Sequence, residues 1–565
     1  MNLNGTSGNN FQVELVRTPE QFYARLRDKF DVAGFSHYVW NANLSRYLAR
    51  HLKIVQPKCI VAFGGPHLPI YAEGQQQYLR ALPEADFFIE KEGEIAFNNL
   101  CTELYHKSFD AEKVKEIRIK SVRSIVRGEL ISSPLENRIS DLDSVESPYL
   151  GGLLDEFLEQ GFTPMLENNR GCPFSCDFCG EGDKYHSHIA RHSLGYLKQE
   201  YEYVARKMSS LRNLPFHDTV YFTDSNTGMY HEDLELCGFL RELQDRYHWP
   251  RKIITSTGKN SKDRVIRCSE LLDGALMITA SVQSTDPEVL ANVKRKNISI
   301  EVLTLVAKGG GEGRKSFSEI ILGLPGDSYA RHLKSIKDMA DIQVNDIRTS
   351  QLMILPDTPM TASEYKERFK LQTKFRILVK GFEKVEVGDS SELAVECEEI
   401  CVGTENLSFE DSLRCRAADL LVNIFYNNIL SPSTFSFFHD KGLLVSAYLQ
   451  KIFDLEKPEI LSSLISQYEE FLKNELFDSP EDMARFLKQP GVYEKLETGE
   501  IGKNPFYYFS EKMKAYPKEI TAFAQNAAEA VAGEELAARI VKDLCCAYGW
   551  ELTSLTKRLS ATSHD

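Results

Sequence analysis

The sequence predicts an α/β protein. A parallel N-terminal sheet leads into a partial (β/α) barrel of six strands, and then into a helical C-terminal region. Three patterns support this. Short apolar runs alternate with amphipathic segments over residues 1 to about 110. The same alternation recurs six times between 161 and about 360. Beyond 408 the apolar spacing becomes helical throughout.

DVAGFSHYVW (31–40) and KCIVAFGG (58–65) read as buried strands, with helices over 43–52 and 97–107. A strand over 119–126 follows in an otherwise irregular stretch, and SPYLGG (147–152) reads as a linker. The six central strands are expected at 162–168, 219–224, 251–256, 275–282, 317–323 and 349–355. After the first of them, Leu194, Leu197, Tyr201, Val204, Met208 and Leu211 recur at helical spacing. Barrels of this kind carry their chemistry at the C-terminal strand ends. Residues 371–404 read as strand-rich, and 409–430 and 458–476 as helices. Domains are therefore expected at 1–145, 155–370, 371–430 and 431–565.

At 565 residues the chain is too long for one ordinary core, and its 42% hydrophobic content suits several packed domains. No apolar run approaches the ~18 residues that span a bilayer. The polar start MNLNGTSGNN does not read as a secretory signal. The expectation is a cytoplasmic chain without a membrane span. A net charge of −15 argues against general binding to nucleic acid or anionic membrane, since both select basic surfaces.

Of twelve cysteines, only Cys172, Cys176 and Cys179 form a tight set, in NNRGCPFSCDFCGEG (168–182) after the first central strand. Three thiolates at C-x3-C-x2-C spacing can hold three irons of a 4Fe–4S cube and leave the fourth open. A zinc site is the alternative, pairing Cys176 and Cys179 with His188 and His192. Its eight intervening residues are fewer than the ~12 of a typical finger, and Cys172 is left over. His186, His188 and His192 read instead as loop or substrate-side residues. Cys397, Cys401 and Cys415 lack an evident fourth ligand for a second cluster, and Cys545 and Cys546 read as helix core.

The cysteine spacing, in this position, resembles that of the radical SAM superfamily. The resemblance implies that the open iron chelates S-adenosylmethionine (SAM). An electron from the cluster would break the S–C5′ bond, and the 5′-deoxyadenosyl radical would take a hydrogen from substrate. Phe178 matches the aromatic that packs near adenine. TDSNTG (223–228), ASVQS (280–284), EIILGLPGD (319–327) and LPDTPM (355–360) also resemble the family at successive strand ends. They imply a pocket for SAM or substrate drawn from Phe178, Gly180, Asp224, Asn226, Gln283, Glu319 and Gly323. For Asp224 and Asn226 a plain turn is the alternative.

GFSHYVWN (34–41), AFGGPHLP (62–69), EADFFIEKEGE (84–94) and SPYLGG resemble the cobalamin-binding class of that superfamily, in which a Rossmann-like domain precedes the barrel. The resemblance covers roughly residues 25 to 430. It implies that Gly64, Gly65, His67 and Glu92 lie in a cobalamin-binding-like domain. Two departures stand out. No D-x-H-x-x-G sequence supplies a lower axial histidine, and the first strand–helix unit is missing, so the domain is shortened. His67 is open to reading as a ligand or as a turn histidine.

The implied activity is cobalamin-dependent methyl transfer to a small-molecule or peptide substrate, with a ferredoxin- or flavodoxin-type reductant. A cobalamin-independent radical SAM isomerisation, cyclisation or oxidation is the alternative. A non-catalytic iron–sulfur or zinc module is a third. Methylthiotransfer to tRNA needs three more N-terminal cysteines, and only Cys59 and Cys101 are there.

Overall fold

The computed structural model describes residues 11–279, 281–297 and 316–551. The N-terminal sheet has five strands in the order β1 (Val32–Ser36), β2 (Ile60–Gly64), β3 (Phe87–Ile89), β4 (Val122–Val126), β5 (Glu129–Ile131). The first three are parallel, as expected, and helices Ala42–Val55 and Ala72–Arg80 connect them. The last two are antiparallel, which corrects the all-parallel expectation. For β5 the cause is local: Arg127 and Gly128 both adopt positive φ, forming a two-residue hairpin turn that reverses the chain after β4. β4 is reached from β3 through two helices, Gly93–His106 and Ala111–Lys115, and enters the sheet from the opposite end.

The central region begins with β6 (Met165–Leu166) and a short antiparallel pair, β7 (Asn169–Arg170) and β8 (Ala190–Arg191). Five further strands follow: β9 (Thr219–Phe222), β10 (Lys252–Ile254), β11 (Ile278–Thr279), β12 (Ser316–Leu322) and β13 (Asp346–Gln351). They form two three-stranded parallel sheets, β6–β9–β10 and β11–β12–β13. A single bridge between Ile253 and Leu276 joins the two. Six parallel strands thus make one open arc. Helix Leu194–Ser210 covers its outside, burying Leu197, Tyr201, Val204 and Met208, the residues whose spacing predicts it.

β13 starts three residues earlier than expected and ends before the apolar run 352–355. That run leaves the arc. The Leu352 carbonyl accepts from the Cys401 amide at 2.8 Å, and the Ile354 amide donates to the Glu399 carbonyl at 2.8 Å. The chain thereby joins a long antiparallel hairpin, β14 (Gln372–Val387) and β15 (Ser390–Gly403). This hairpin reaches back to the N-terminal sheet. The buried Glu396 carboxylate accepts from the amides of Asn43 and Leu44 at 2.9 and 2.8 Å, capping helix Ala42–Val55.

Helices from Phe409 to Tyr548 cover the β11–β13 side of the arc. Ile320, Ile336, Phe425, Tyr448 and Phe523 share one core, so the C-terminal helices complete the barrel-side packing. Cys545 is buried there, but its neighbour Cys546 is exposed, which corrects the expectation that both are core. Adjacent positions on a helix point about 100° apart, so only one can face inward. Cys397, Cys401 and Cys415 lie in three separate apolar clusters. Among the described residues no helix is long and apolar enough to cross a membrane.

Among the polar contacts that cross the interface between arc and C-terminal helices, one joins two ionisable side chains that are wholly buried. His332 Nε2 lies 2.8 Å from Asp419 Oδ1, and both side chains are wholly buried. Burial alone lowers the His332 pKa, but the charge of Asp419 and its hydrogen bond raise it above the ordinary imidazole value. A raised histidine pKa stabilises the fold most below the unfolded value of about 6.5 and less as pH rises through the folded one. His332→Gln is therefore expected to lower the denaturation midpoint most near pH 6, and by less at pH 9. An equal loss at both values would show that the pair carries no proton.

Candidate active site

The loop after β6 is built around one carboxylate. Asp224, just beyond β9, accepts four hydrogen bonds, from the backbone and side-chain amides of Asn168 and Asn169, at 2.8, 2.8, 3.2 and 3.1 Å. Burial pushes its pKa up to about 7, against these bonds, which favour the ionised form. Tyr201 adds a 2.7 Å bond to Asn168 Oδ1. The cysteine segment is thus tied to its neighbouring strand before it begins.

From Cys172 the loop folds back tightly. The Gly182 amide donates to the Cys179 carbonyl at 2.8 Å, and a Cβ on Gly182 would lie 2.1 Å from the Cys176 carbonyl oxygen. Only glycine permits that approach. On the far side, buried Asp177 receives Lys294 at 2.9 Å and the Tyr365 hydroxyl at 3.3 Å. Cys172 and Cys176 are buried, Cys179 partly so, and burial pushes the Cys179 thiol up to about 11.

A cavity of about 280 Å³ opens at the C-terminal strand ends. Cys172, Phe178, Cys179, Asp224, Gln283 and Glu319, all expected at this site, line it together. Gln283 adopts φ 64° while its amide and carbonyl still pair with Glu319 and Ile321, and its side-chain oxygen is buried without a partner. A non-glycine residue held there stores strain, as functional positions often do. Asn226 sits just behind the cavity and donates to Cys172 Sγ at 3.3 Å. Asp224 lines the cavity too, but its carboxylate is spent on the asparagines. Gly323 lies elsewhere, against Cys401 of the hairpin, because the chain turns away from the arc at that point.

The same cavity holds four cations the sequence did not single out: Lys259, Lys262, Arg295 and Lys296. Burial, with help from Arg295 and Lys259, pushes Lys262 down to about 8. Lys259 lies in the loop five residues after β10 ends, a position legible in principle. Arg295 sits in the charge run VKRKN, which reads as solvated surface.

A second cavity, of about 530 Å³, lies between the cysteine loop and the C-terminal ends of the N-terminal strands. It is lined by Gly65, His67 and Glu92, expected of this domain, and by Trp40 and Asp357, which were not. Gly180 lines it too, which corrects its expected place in the strand-end pocket: the backbone there turns toward Asp357, so close that a Cβ would overlap that carboxylate. Gly64 ends β2 and does not line it. Gly65 has φ 140°, and a Cβ there would lie 2.4 Å from the His37 carbonyl oxygen. Glu92 is committed to structure, 3.0 Å from Arg138 Nε and accepting from the Ile139 amide at 2.9 Å. Trp40 is 59% exposed at the rim and stacks on Tyr38 at 4.6 Å. A third cavity, of about 520 Å³, shares Val39 and His67 with the second and is closed by Glu396, Cys397 and helix Pro480–Leu487. Burial pushes His37 down to about 3 and His67 to about 4, so both rings are neutral near pH 7.

No group of three histidine, cysteine or acidic side chains converges on one point among the described residues. Of the histidines in the zinc alternative, His188 is exposed, and His192 Nδ1 lies 3.1 Å from Asp143 while its ring stacks on Tyr196.

No family model matches the chain. It is 31% identical over 357 residues to the cobalamin-dependent radical SAM methyltransferase TokK of Streptomyces tokunonensis, covering 61% of this chain and 50% of that protein. It is 30% identical over 382 residues to a 2-(S-pantetheinyl)-carbapenam-3-carboxylate methyltransferase of Streptantibioticus cattleyicolor, covering 65% and 53%. The chain thus spans about half the length of these curated relatives. Its fold matches that of the cobalamin-dependent SAM radical enzyme OxsB, with a TM-score of 0.52 at 14% identity, over 94% of this chain and 77% of that one.

Asp224→Ala would leave four donors without an acceptor, away from water. At ~1–3 kcal/mol for a buried unsatisfied group, a loss of about 2–4 kcal/mol is expected, read as a lower thermal or urea midpoint. An unchanged midpoint would show that something else holds the loop.

Proposed function

We propose that this relative of the cobalamin-binding radical SAM enzymes is itself a radical SAM enzyme. In this proposal it transfers a methyl group through cobalamin to a small-molecule or peptide substrate. One observation carries the reading: Cys179 and Glu181 line both the strand-end cavity and the larger cavity facing the N-terminal sheet. The cysteine loop stands between two compartments, so a group held on one side lies next to a group held on the other.

When bound, a 4Fe–4S cluster and SAM supply a radical that activates the substrate, and cobalamin supplies the methyl carrier. The chain's own residues do the rest. Cys172, Cys176 and Cys179 offer the three thiolates. Phe178 gives an apolar surface, and Gln283 and Glu319 give polar anchors, on the SAM or substrate side. The second and third cavities lie side by side, sharing Val39 and His67 in their linings, and the larger of them has room for a large ligand with a flat part. Gly65 lets backbone run close beneath it, while the stacked Tyr38 and Trp40 present a flat face at its rim.

In this reading, residues 1–145 form a Rossmann-like cobalamin domain and 155–370 a partial barrel. Residues 371–430 extend it, and 431–565 form a helical cover. A ferredoxin- or flavodoxin-type protein supplies the electron, and the net charge of −15 speaks against nucleic acid as substrate. A cobalamin-independent reaction is the second reading, favoured by the N-terminal sheet having only three parallel strands.

Two measurements test this. Anaerobically reconstituted protein is expected to absorb as an iron–sulfur protein and to release 5′-deoxyadenosine from SAM, and Cys176→Ala to do neither. Persistent cleavage in the variant would remove the cluster assignment. Titration with hydroxocobalamin followed by gel filtration is expected to leave one corrinoid per chain. Folded, iron-loaded protein that retains none would select the cobalamin-independent reading.

A further inference from the structure

We infer that Lys259 and Arg295 act together on the sulfur of Cys176 to raise the reduction potential of the cluster. This rests on the reading of Cys172, Cys176 and Cys179 as its ligands. The three sulfurs are treated unequally. Cys176 Sγ has two cationic donors, the Lys259 ammonium at 3.7 Å and the Arg295 guanidinium at 3.8 Å. Cys172 Sγ has one neutral donor, the Asn226 amide at 3.3 Å. Cys179 Sγ has no side-chain donor among the described residues.

Both cations are held in place. Arg295 is 5% exposed, bonds the Ser281 carbonyl, and donates from Nε to Asn297 Oδ1 at 3.1 Å. Lys259 lies 4.6 Å above the ring of Phe174, which belongs to the cysteine loop. Among the described residues neither has a carboxylate within ion-pair distance. The nearby Lys262 also lacks one, and its ammonium bonds only the Thr279 carbonyl, at 3.0 Å. A cation buried without a counter-charge is costly. The anions that offset it here are the Cys176 thiolate, in direct contact, and Glu319, which faces Arg295 across the cavity beyond ion-pair distance.

The redox consequence follows from charge. The step is the uptake of one electron from an external ferredoxin- or flavodoxin-type protein, with no bond made or broken. It makes the cluster more negative, and fixed positive charge within about 4 Å favours that state over the oxidised one. Because Coulomb attraction falls with distance, the effect concentrates on the iron that Cys176 binds.

The test is a potentiometric titration, followed by electron paramagnetic resonance, of reconstituted full-length protein without SAM. Lys259→Met and Arg295→Gln remove one charge each, Lys259→Arg keeps it, and iron per chain is counted in all. Lys259 is only partly buried, so its variants serve should Arg295→Gln fail to fold. Each neutral variant is expected to lower the reduced-to-oxidised ratio at a fixed potential about tenfold, which is about 59 mV for a one-electron couple. Lys259→Arg should stay near wild type. Iron-replete neutral variants with unchanged potential overturn the inference. Weakened SAM binding at unchanged potential would overturn it too, by assigning these cations to the cosubstrate. If wild-type protein takes up no cluster, the cysteine assignment itself falls, and this inference with it.

Discussion

The Asp224 carboxylate decides where the cysteine loop can begin. Four amides from the buried Asn168 and Asn169 converge on it, so none can move without leaving a buried donor unpaired. The bond from Asn226 to Cys172 comes two residues after this clamp, and midway along the loop Asp177 is held by Lys294 and Tyr365. The start of the loop is therefore set by a strand end of the arc, and its middle by residues in and just after two later helices. The cysteines add bonds of their own, from Asn226 to Cys172 and between the Cys172 amide and the His186 carbonyl.

That placement produces two electrostatic environments on either side of one wall. On the strand-end side Lys259, Lys262, Arg295 and Lys296 outnumber Glu181, Asp224 and Glu319. On the other side the acidic residues dominate, and most are already committed. Glu92 meets Arg138, Arg170 meets Glu94 and Glu167, and Lys91 meets Asp183. Asp357 is held above the usual carboxylate range by burial, close to Gly180. An anionic group is favoured on the first side by charge alone. On the second side the surface between these closed ion pairs is apolar or neutral, including the uncharged imidazole of His67.

The hairpin β14–β15 gives these compartments a common frame. It takes the chain from the end of the arc, through the backbone bonds of Leu352 and Ile354, to the N-terminal sheet, where Glu396 caps helix Ala42–Val55. One element thus touches the arc, the sheet and the third cavity. The C-terminal helices close the opposite side of the arc with a continuous apolar core, pinned by the buried His332–Asp419 contact.

The sequence by itself determined the cysteine loop, the parallel strands and the helices, since these are written in local spacing. C-x3-C-x2-C, period-two strands and period-3.6 helices are properties of neighbours along the chain. Phe178, Gln283, Glu319, Gly65 and His67, named from the sequence, line the two cavities. Tertiary structure alone decided what the remaining residues do. Asp224 and Glu92 proved to be structural anchors, because their partners come from distant segments. Gly323 moved to the hairpin. Lys259 and Arg295 became neighbours of Cys176 across 83 and 119 positions of sequence. Charge carries no periodic signature, so a lysine or arginine shows its partner only when the fold brings the two together.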